Sequence, residues 1–153
     1  MKGYRILIFE DDPDVEYKVK YSGKIDIKNY SSFFDFTIPF KMNDPFSYAR
    51  EESALVGSGN IENTGSIETG LVIEIAGAVT NPSVTIGGKV LTYTGTITAG
   101  QTLTIDTLFM TAKIGTTNAL DDLQANLPIL VEPGKTTVTA GSNATIRWKN
   151  RYL

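Results

Sequence analysis

"SVTIGGKVLTYTG", residues 83–95, is the stretch that decides how this chain folds. Gly87 and Gly88 separate two runs of β-branched, apolar and aromatic residues, and a two-residue glycine loop between such runs predicts a hairpin. Strands recur on both sides of it. Upstream, "TGLVIEIAG" (69–77) reads as a strand that ends in the turn "TNPS" (80–83). Downstream, "AGQ" turns the chain into "TLTIDT" (102–107), and "LFMTAKIG" (108–115) follows. The closing stretch, "VEPGKTTVTAGSNATIRWKNRYL" (131–153), supplies a Pro-Gly turn, a strand, a polar turn and a last strand. Only "NALDDLQANL" (118–127) has helical character, predicting one or two turns that cover an end of the sheets. Seven or eight strands over about a hundred residues predict an all-β fold, an antiparallel β-sandwich.

Toward the N-terminus the chain changes character. Residues 1–53 hold eleven of the fifteen Phe, Tyr and Trp residues but only one threonine, Thr37. Residues 54–153 hold four aromatics (Tyr93, Phe109, Trp148, Tyr152) and the other eighteen threonines. Threonine suits solvent-facing strand positions, whereas dense aromatics suit a packed or partner-covered surface. The break predicts two modules, residues 1–52 and residues 53–153. In the first, "EYKVKY" (16–21) sets Tyr17, Val19 and Tyr21 opposite Lys18 and Lys20, the alternation of a half-buried strand. "FFDFTIPFKM" (33–42) does the same with Phe34, Phe36, Ile38, Phe40 and Met42. "YRILIF" (4–9) is a continuous apolar run, the pattern of a more buried strand. Pro39 cannot donate to a ladder, which places it at an edge or a bulge. Three or four strands with this much aromatic surface make a thin core, so the face of Phe34, Phe36, Ile38, Phe40 and Met42 is a candidate assembly interface.

The residues exclude most chemistry. There is no cysteine and no histidine. Thiol nucleophiles, disulfides, Cys/His zinc sites and His-dependent triads therefore fall away. Net charge is −3, which gives no basic footprint for nucleic acid, and no apolar run approaches the about 18 residues of a membrane span. The opening "MKGYRILIFEDDPDV" has too short an apolar run for a signal peptide. "RILIFEDDPDV" is similar to the start of a response-regulator receiver, but the following "VEYKVKYSG" alternates as a strand where a receiver needs a helix. Asp12, Asp14 and Glu16 have alternate spacing, yet Tyr17 stands where an EF-hand loop needs glycine. Asp11, Asp12, Pro13 and Asp14 are expected as a solvated hairpin turn. Asp121 and Asp122 are adjacent and point apart. Glu68, Glu74, Asp106 and Glu132 show no ligand spacing. Trp148 is the one candidate for stacking on a sugar, but it alternates with Ala144 and Ile146 against Thr145, Arg147 and Lys149, which favours the core. No enzyme, metal or cofactor is expected.

Several stretches, taken in order, carry a family resemblance. They are "DFTIPFKMNDPFSYA" (35–49), "NTGSIETGLVIEIAGAVTNPSVTIGGK" (63–89), "AGQTLTIDT" (99–107) and "LPILVEPGKTTVTAGSNATIRWKNRYL" (127–153). Together they resemble the distal tail protein family of long-tailed, siphovirus-type bacteriophages and prophages. Similar proteins carry an Asp-Pro-aromatic turn with a Tyr two residues on, an Asn-x-Gly start, a Gly-Lys hairpin, a Gly-x-x-Leu-x-Ile-Asp strand and a late Pro-Gly turn. The resemblance implies a structural role in a hexameric ring joining tail tube to baseplate or adsorption apparatus. It also implies an N-terminal belt domain and a peripheral galectin-like or carbohydrate-module-like sandwich. Asp44, Pro45, Phe46 and Tyr48 match the junction motif, a turn that closes the first module and orients the second. Relatives carry a long segment before the strands that Met1 here nearly abuts, so the belt is expected to be shortened, and a dimer is the simplest assembly for this chain. The implied partners are other tail proteins and further copies of the chain, with no nucleic acid and no membrane. The implied location is the virion tail, after synthesis in the bacterial cytoplasm. The rival reading is a carbohydrate-binding module with a host-surface sugar as ligand.

Overall fold

A computed structural model describes residues 3–153. Met1, where the shortened belt would begin, lies outside them. The described residues contain strands, turns and loops and no helix.

The second module is a sandwich of two antiparallel sheets. One has the order Leu123–Gln124, Lys89–Tyr93, Ser83–Ile86, Gly134–Thr139, Gly59–Asn63. The other has the order Thr117–Asn118, Thr111–Ile114, Thr102–Asp106, Val72–Ala76, Ala144–Trp148, Ser53–Val56. The hairpin at Gly87-Gly88 forms as expected: Ile86 pairs with Lys89, and the glycines take φ of 54° and 82°. Two successive positive φ values define the turn whose twist matches the flanking strands, and they favour glycine at both positions. Period-two alternation then fills the space between the sheets. Ile61, Val84, Ile86, Leu91 and Val138 from one sheet meet Ile73, Ile75, Leu103, Ile105 and Ile146 from the other, each at most 2% exposed. Each such aliphatic side chain contributes about 1.5–3 kcal/mol by leaving water.

The expected helix at 118–127 is absent. Thr117–Asn118 pairs with Thr111–Ile114, the Ala119 amide donates to the Ala112 carbonyl at 2.9 Å, and Leu123 pairs with Tyr93. The spacing of Ala119, Leu123 and Leu127 satisfies a helix, but neighbouring strands offer these backbone groups partners on the sheet edges. Tertiary pairing overrides a weak local preference.

In the first module, β1 (Tyr4–Phe9) pairs with β2 (Asp12–Tyr21), and β2 pairs with β5 (Phe40–Ala49). The fourth strand of this sheet is Arg151–Tyr152, from the far end of the chain. A separate hairpin of β3 (Asp26–Asn29) and β4 (Phe34–Thr37) pairs with no other strand among the described residues. Four expectations need correction here. The run at 4–9 is not more buried than its neighbours: β1 is a sheet edge, and Ile6, Ile8 and Phe9 are exposed because none of the described residues covers them. The stretch 33–42 is not one strand, since it breaks at Ile38-Pro39 and its halves join different sheets. Pro39 therefore lies between strands, its carbonyl accepting the Ser22 amide at 3.0 Å. The acidic turn is shorter than expected: Glu10 and Asp11 make it, Phe9 pairs with Asp12, and Asp12 to Asp14 already belong to β2.

Val19 is the only buried hydrophobic side chain before Ile61 among the described residues. The thin core expected of the first module is what the sheet shows.

Candidate functional site: the junction and the apolar faces

The junction motif is a bulge inside β5, not a turn after it. Tyr17 and Val19, two apart on β2, oppose Ser47 and Met42, five apart on β5. The extra residues loop out of the ladder, and their chemistry fits this. Pro45 has no amide to leave unpaired. The Phe46 amide donates to Asp44 Oδ1 at 3.2 Å, a local substitute for the missing ladder bond. The Tyr48 hydroxyl donates to Asp44 Oδ2 at 2.5 Å, closing the loop on itself.

Arg151 meets this bulge from the other end of the chain. It pairs with Tyr48 across the ladder, and its guanidinium carbon lies 4.2 Å from the centroid of the Phe46 ring. Arg151 Nη1 donates to the Glu68 carbonyl at 3.3 Å, while the Arg151 carbonyl accepts the amides of Ser66 and Ile67 at 3.0 and 3.4 Å. The closing strand is thus bonded to β5 on one side and to the start of the sandwich on the other. Lys149 Nζ, bonded to Glu16 Oε1 at 2.9 Å, adds a second tie between the modules. The structure brings Asp44, Phe46 and Tyr48 together through the two bonds that Asp44 accepts. Sequence reasoning missed Arg151, Lys149, Glu16 and Ser66. No local pattern marks them, because each acts on a partner far away in the chain.

Burial chiefly, then the hydrogen bond to Asp44 and the charge of that carboxylate, push the Tyr48 phenol up to about 12 from 10.0, against the opposing pull of Arg151. The fold therefore favours the neutral phenol. Its contribution to stability is complete below about pH 10 and is lost as pH rises through about 12. Thermal melts between pH 9 and 12 are expected to show a steeper fall for wild type than for Tyr48→Phe. Parallel curves would remove Tyr48 from the account.

The candidate interface residues lie where little covers them, but not on one strand. Phe34 and Phe36, 70% and 61% exposed, stand on β4 with Ile27 beside Phe36 on β3. That face of the hairpin is apolar, and Lys28 and Asp35 lie on the other. Ile38 is in the link, and Phe40 and Met42 lie on β5, opposite Tyr21 and Val19. At the hairpin end, Tyr30 and Phe33 stack with ring centroids 4.6 Å apart. By contrast Trp148 is 7% exposed and donates from Nε1 to the Glu62 carbonyl at 3.3 Å, so the sugar-stacking candidate belongs to the core. No group of three or more acidic, His or Cys side chains among the described residues is arranged to hold a metal.

A family model described as the C-terminal domain of a siphovirus-type tail component matches residues 64–152. The chain belongs to this family of phage tail proteins. The resemblance read from the junction motif and the turn signals points to the same family. Among solved structures, the Dit protein of SPP1, described as a paradigm of the hub adsorption apparatus in Gram-positive infecting phages, is similar over 100% of this chain and 67% of its own length. The TM-score is 0.78 at 18% identity, which establishes a shared fold. Among curated proteins, none matches. The family match covers most of the sandwich, and the structural match extends through the first module as well.

Proposed function

We propose that this tail component is a non-enzymatic hub element linking the tail tube to the host-adsorption apparatus in the virion. Residues 1–52 act as the assembly module and residues 53–153 as the projecting sandwich. Asp44, Pro45, Phe46 and Tyr48 hold the second at a fixed angle to the first. The observation that carries the reading is the exposure of large apolar side chains on a module with almost no buried core of its own. A module with one buried hydrophobic side chain and a row of exposed Phe, Ile and Met residues is built to be completed by another surface. For this chain the exposed side chains of Phe34 and Phe36 on β4, Ile38 in the link and Phe40 and Met42 on β5 pair two copies. The carbohydrate reading has no comparable support, since the only tryptophan is core.

Light scattering over a concentration series at 0.3 M salt tests the face. Wild type is expected to reach a dimer in the micromolar range, and Phe36→Lys to remain monomeric. A strictly monomeric wild type at high micromolar concentration would mean that the face is covered within the chain. A hexamer would mean that these residues support a ring rather than a pair.

A further inference from the structure

Between β2 and β5 the chain leaves its sheet and returns to it. The last rung of that ladder is the Ser22 amide, which donates to the Pro39 carbonyl at 3.0 Å, and beyond it stands the β3–β4 hairpin. Every residue from Lys20 to Ile38 is exposed, so no side chain of the hairpin is buried against the described residues. Its own contacts shape it, down to the tip, where the Tyr30 amide donates to the Phe33 carbonyl at 3.0 Å beside the stacked rings. The steps from Gly23 to Tyr30, at about 3.3 Å each, make an arm of roughly 23 Å. A two-stranded hairpin by itself is marginal in water, and this one carries Ile27, Phe34 and Phe36 on a bare face. The outer edge of β4 also has no strand partner among the described residues.

The β1 strand is bare in matching ways. It is the outer strand of its sheet, Tyr4 to Leu7 run without proline or bulge, and Ile6 is 50% exposed. An edge of this kind is a template for another strand. The arm does not serve the β1 of its own chain. Tyr4 lies beside Lys20, near the base of the arm, and β1 runs from there toward Phe9, away from it. Charge then selects the partner. Arg5 is the one charged side chain on β1 and Asp35 the one on β4; both are exposed, and neither makes an ion pair among the described residues. Laying β4 antiparallel on β1 with Asp35 opposite Arg5 also sets Phe36 opposite Tyr4 and Phe34 opposite Ile6. Directly opposed residues share a face, so one register matches charge on one side of the sheet and apolar surface on the other. Lys28, across the hairpin from Asp35, then stands on the far side of the carboxylate from Arg5.

We propose that the β3–β4 arm of one copy adds to the open β1 edge of a second copy in this register. Each copy owns one arm and one edge, so a mutual exchange uses both and closes at two copies. The inference rests on the reading that the exposed apolar side chains pair two copies, and it names what Phe34 and Phe36 meet.

Sedimentation equilibrium at 50 mM salt reads the charge match. Arg5→Asp and Asp35→Arg each set like charges together twice per dimer, and each alone is expected to weaken dimerisation about tenfold. Arg5→Asp combined with Asp35→Arg restores opposite charges and is expected to return to within about threefold of wild type. A combined variant no tighter than the single ones overturns the proposal. The chain has no cysteine, so Ile6→Cys chains mixed with Phe34→Cys chains are expected to cross-link one to one on oxidation. Cross-linking of Ile6→Cys chains with one another instead would mean that two β1 edges pair directly, which also overturns it. All four positions are exposed, so none of these substitutions opens the core. A dimer that Phe36→Lys abolishes and Arg5→Asp leaves unchanged overturns the contact of arm with edge while the apolar pairing stands. A monomeric wild type overturns both.

Discussion

Trp148→Ala is expected to lower the stability of the chain by about 3–5 kcal/mol, the usual cost of truncating a buried tryptophan to alanine. The indole is 7% exposed in the sheet formed with Val72–Ala76, sharing the core with Ile61, Ile73 and Ile146. Two losses add. The cavity left between the sheets cannot close, because the flanking side chains are themselves fixed by strand registers. The Glu62 carbonyl also loses the donor that now meets it at 3.3 Å. Against a total of about 5–15 kcal/mol for a domain, the change is large, and it corresponds to a melting temperature lower by about 10 °C or more. Far-UV circular dichroism is the measurement to use, since the substitution removes the only tryptophan and with it the indole fluorescence. Trp148→Phe is expected to recover most of the loss. A penalty under about 1 kcal/mol would mean that the ring is not core, and would reopen the case for a stacking platform on the surface.

That the indole faces inward was legible in the sequence, because Ala144, Ile146 and Trp148 alternate against Thr145, Arg147 and Lys149 and the pleat does the rest. The hairpin at Gly87-Gly88 was legible for a similar reason, as its turn is set by the two glycines and their immediate neighbours. Asn118–Leu127 was not. Its apolar spacing fits a helix, and only the waiting edges at Ala112 and Tyr93 turn it into short strand pairs. The exposure of Ile6, Ile8 and Phe9 was hidden for a different reason: an apolar run states that something will cover it, but not whether the cover comes from the same chain. At the junction the Asx contact of Asp44 with the Phe46 amide is a two-residue matter and could be anticipated. The ring contact of Phe46 with Arg151 joins residues more than a hundred positions apart, and no pattern in either segment announces the other.

That long-range contact is the target of the second large effect. Gly65→Ala is expected to release the closing strand. A β-carbon placed on Gly65 would stand 2.3 Å from the Arg151 carbonyl oxygen and 2.8 Å from the Arg151 amide nitrogen, well inside contact distance. Both atoms are backbone, so no side chain can swing aside, and the strand itself has to move. Moving it breaks the bonds from Ser66 and Ile67 to the Arg151 carbonyl, strains the Leu153 amide bond to Ser66 Oγ at 2.9 Å, and draws the guanidinium away from Phe46. The cost lies at the upper end of overpacking penalties, about 3 kcal/mol, and it falls on the link between the modules. The sandwich core comes from residues between Leu55 and Trp148, so the sandwich is expected to keep its own cooperative transition. Hydrogen exchange then separates the outcomes. Amides at Ser47, Ala49 and Tyr152 are expected to lose about a hundredfold of protection, while Ile73, Ile105 and Ile146 keep theirs. Ser66→Ala, which removes one acceptor without a clash, is expected to cost less than about 1.5 kcal/mol. Uniform loss of protection across both modules would show that the chain unfolds as one unit and that the closing strand is part of a single core. Unchanged protection at Ser47 and Ala49 would show that the first module holds together without it.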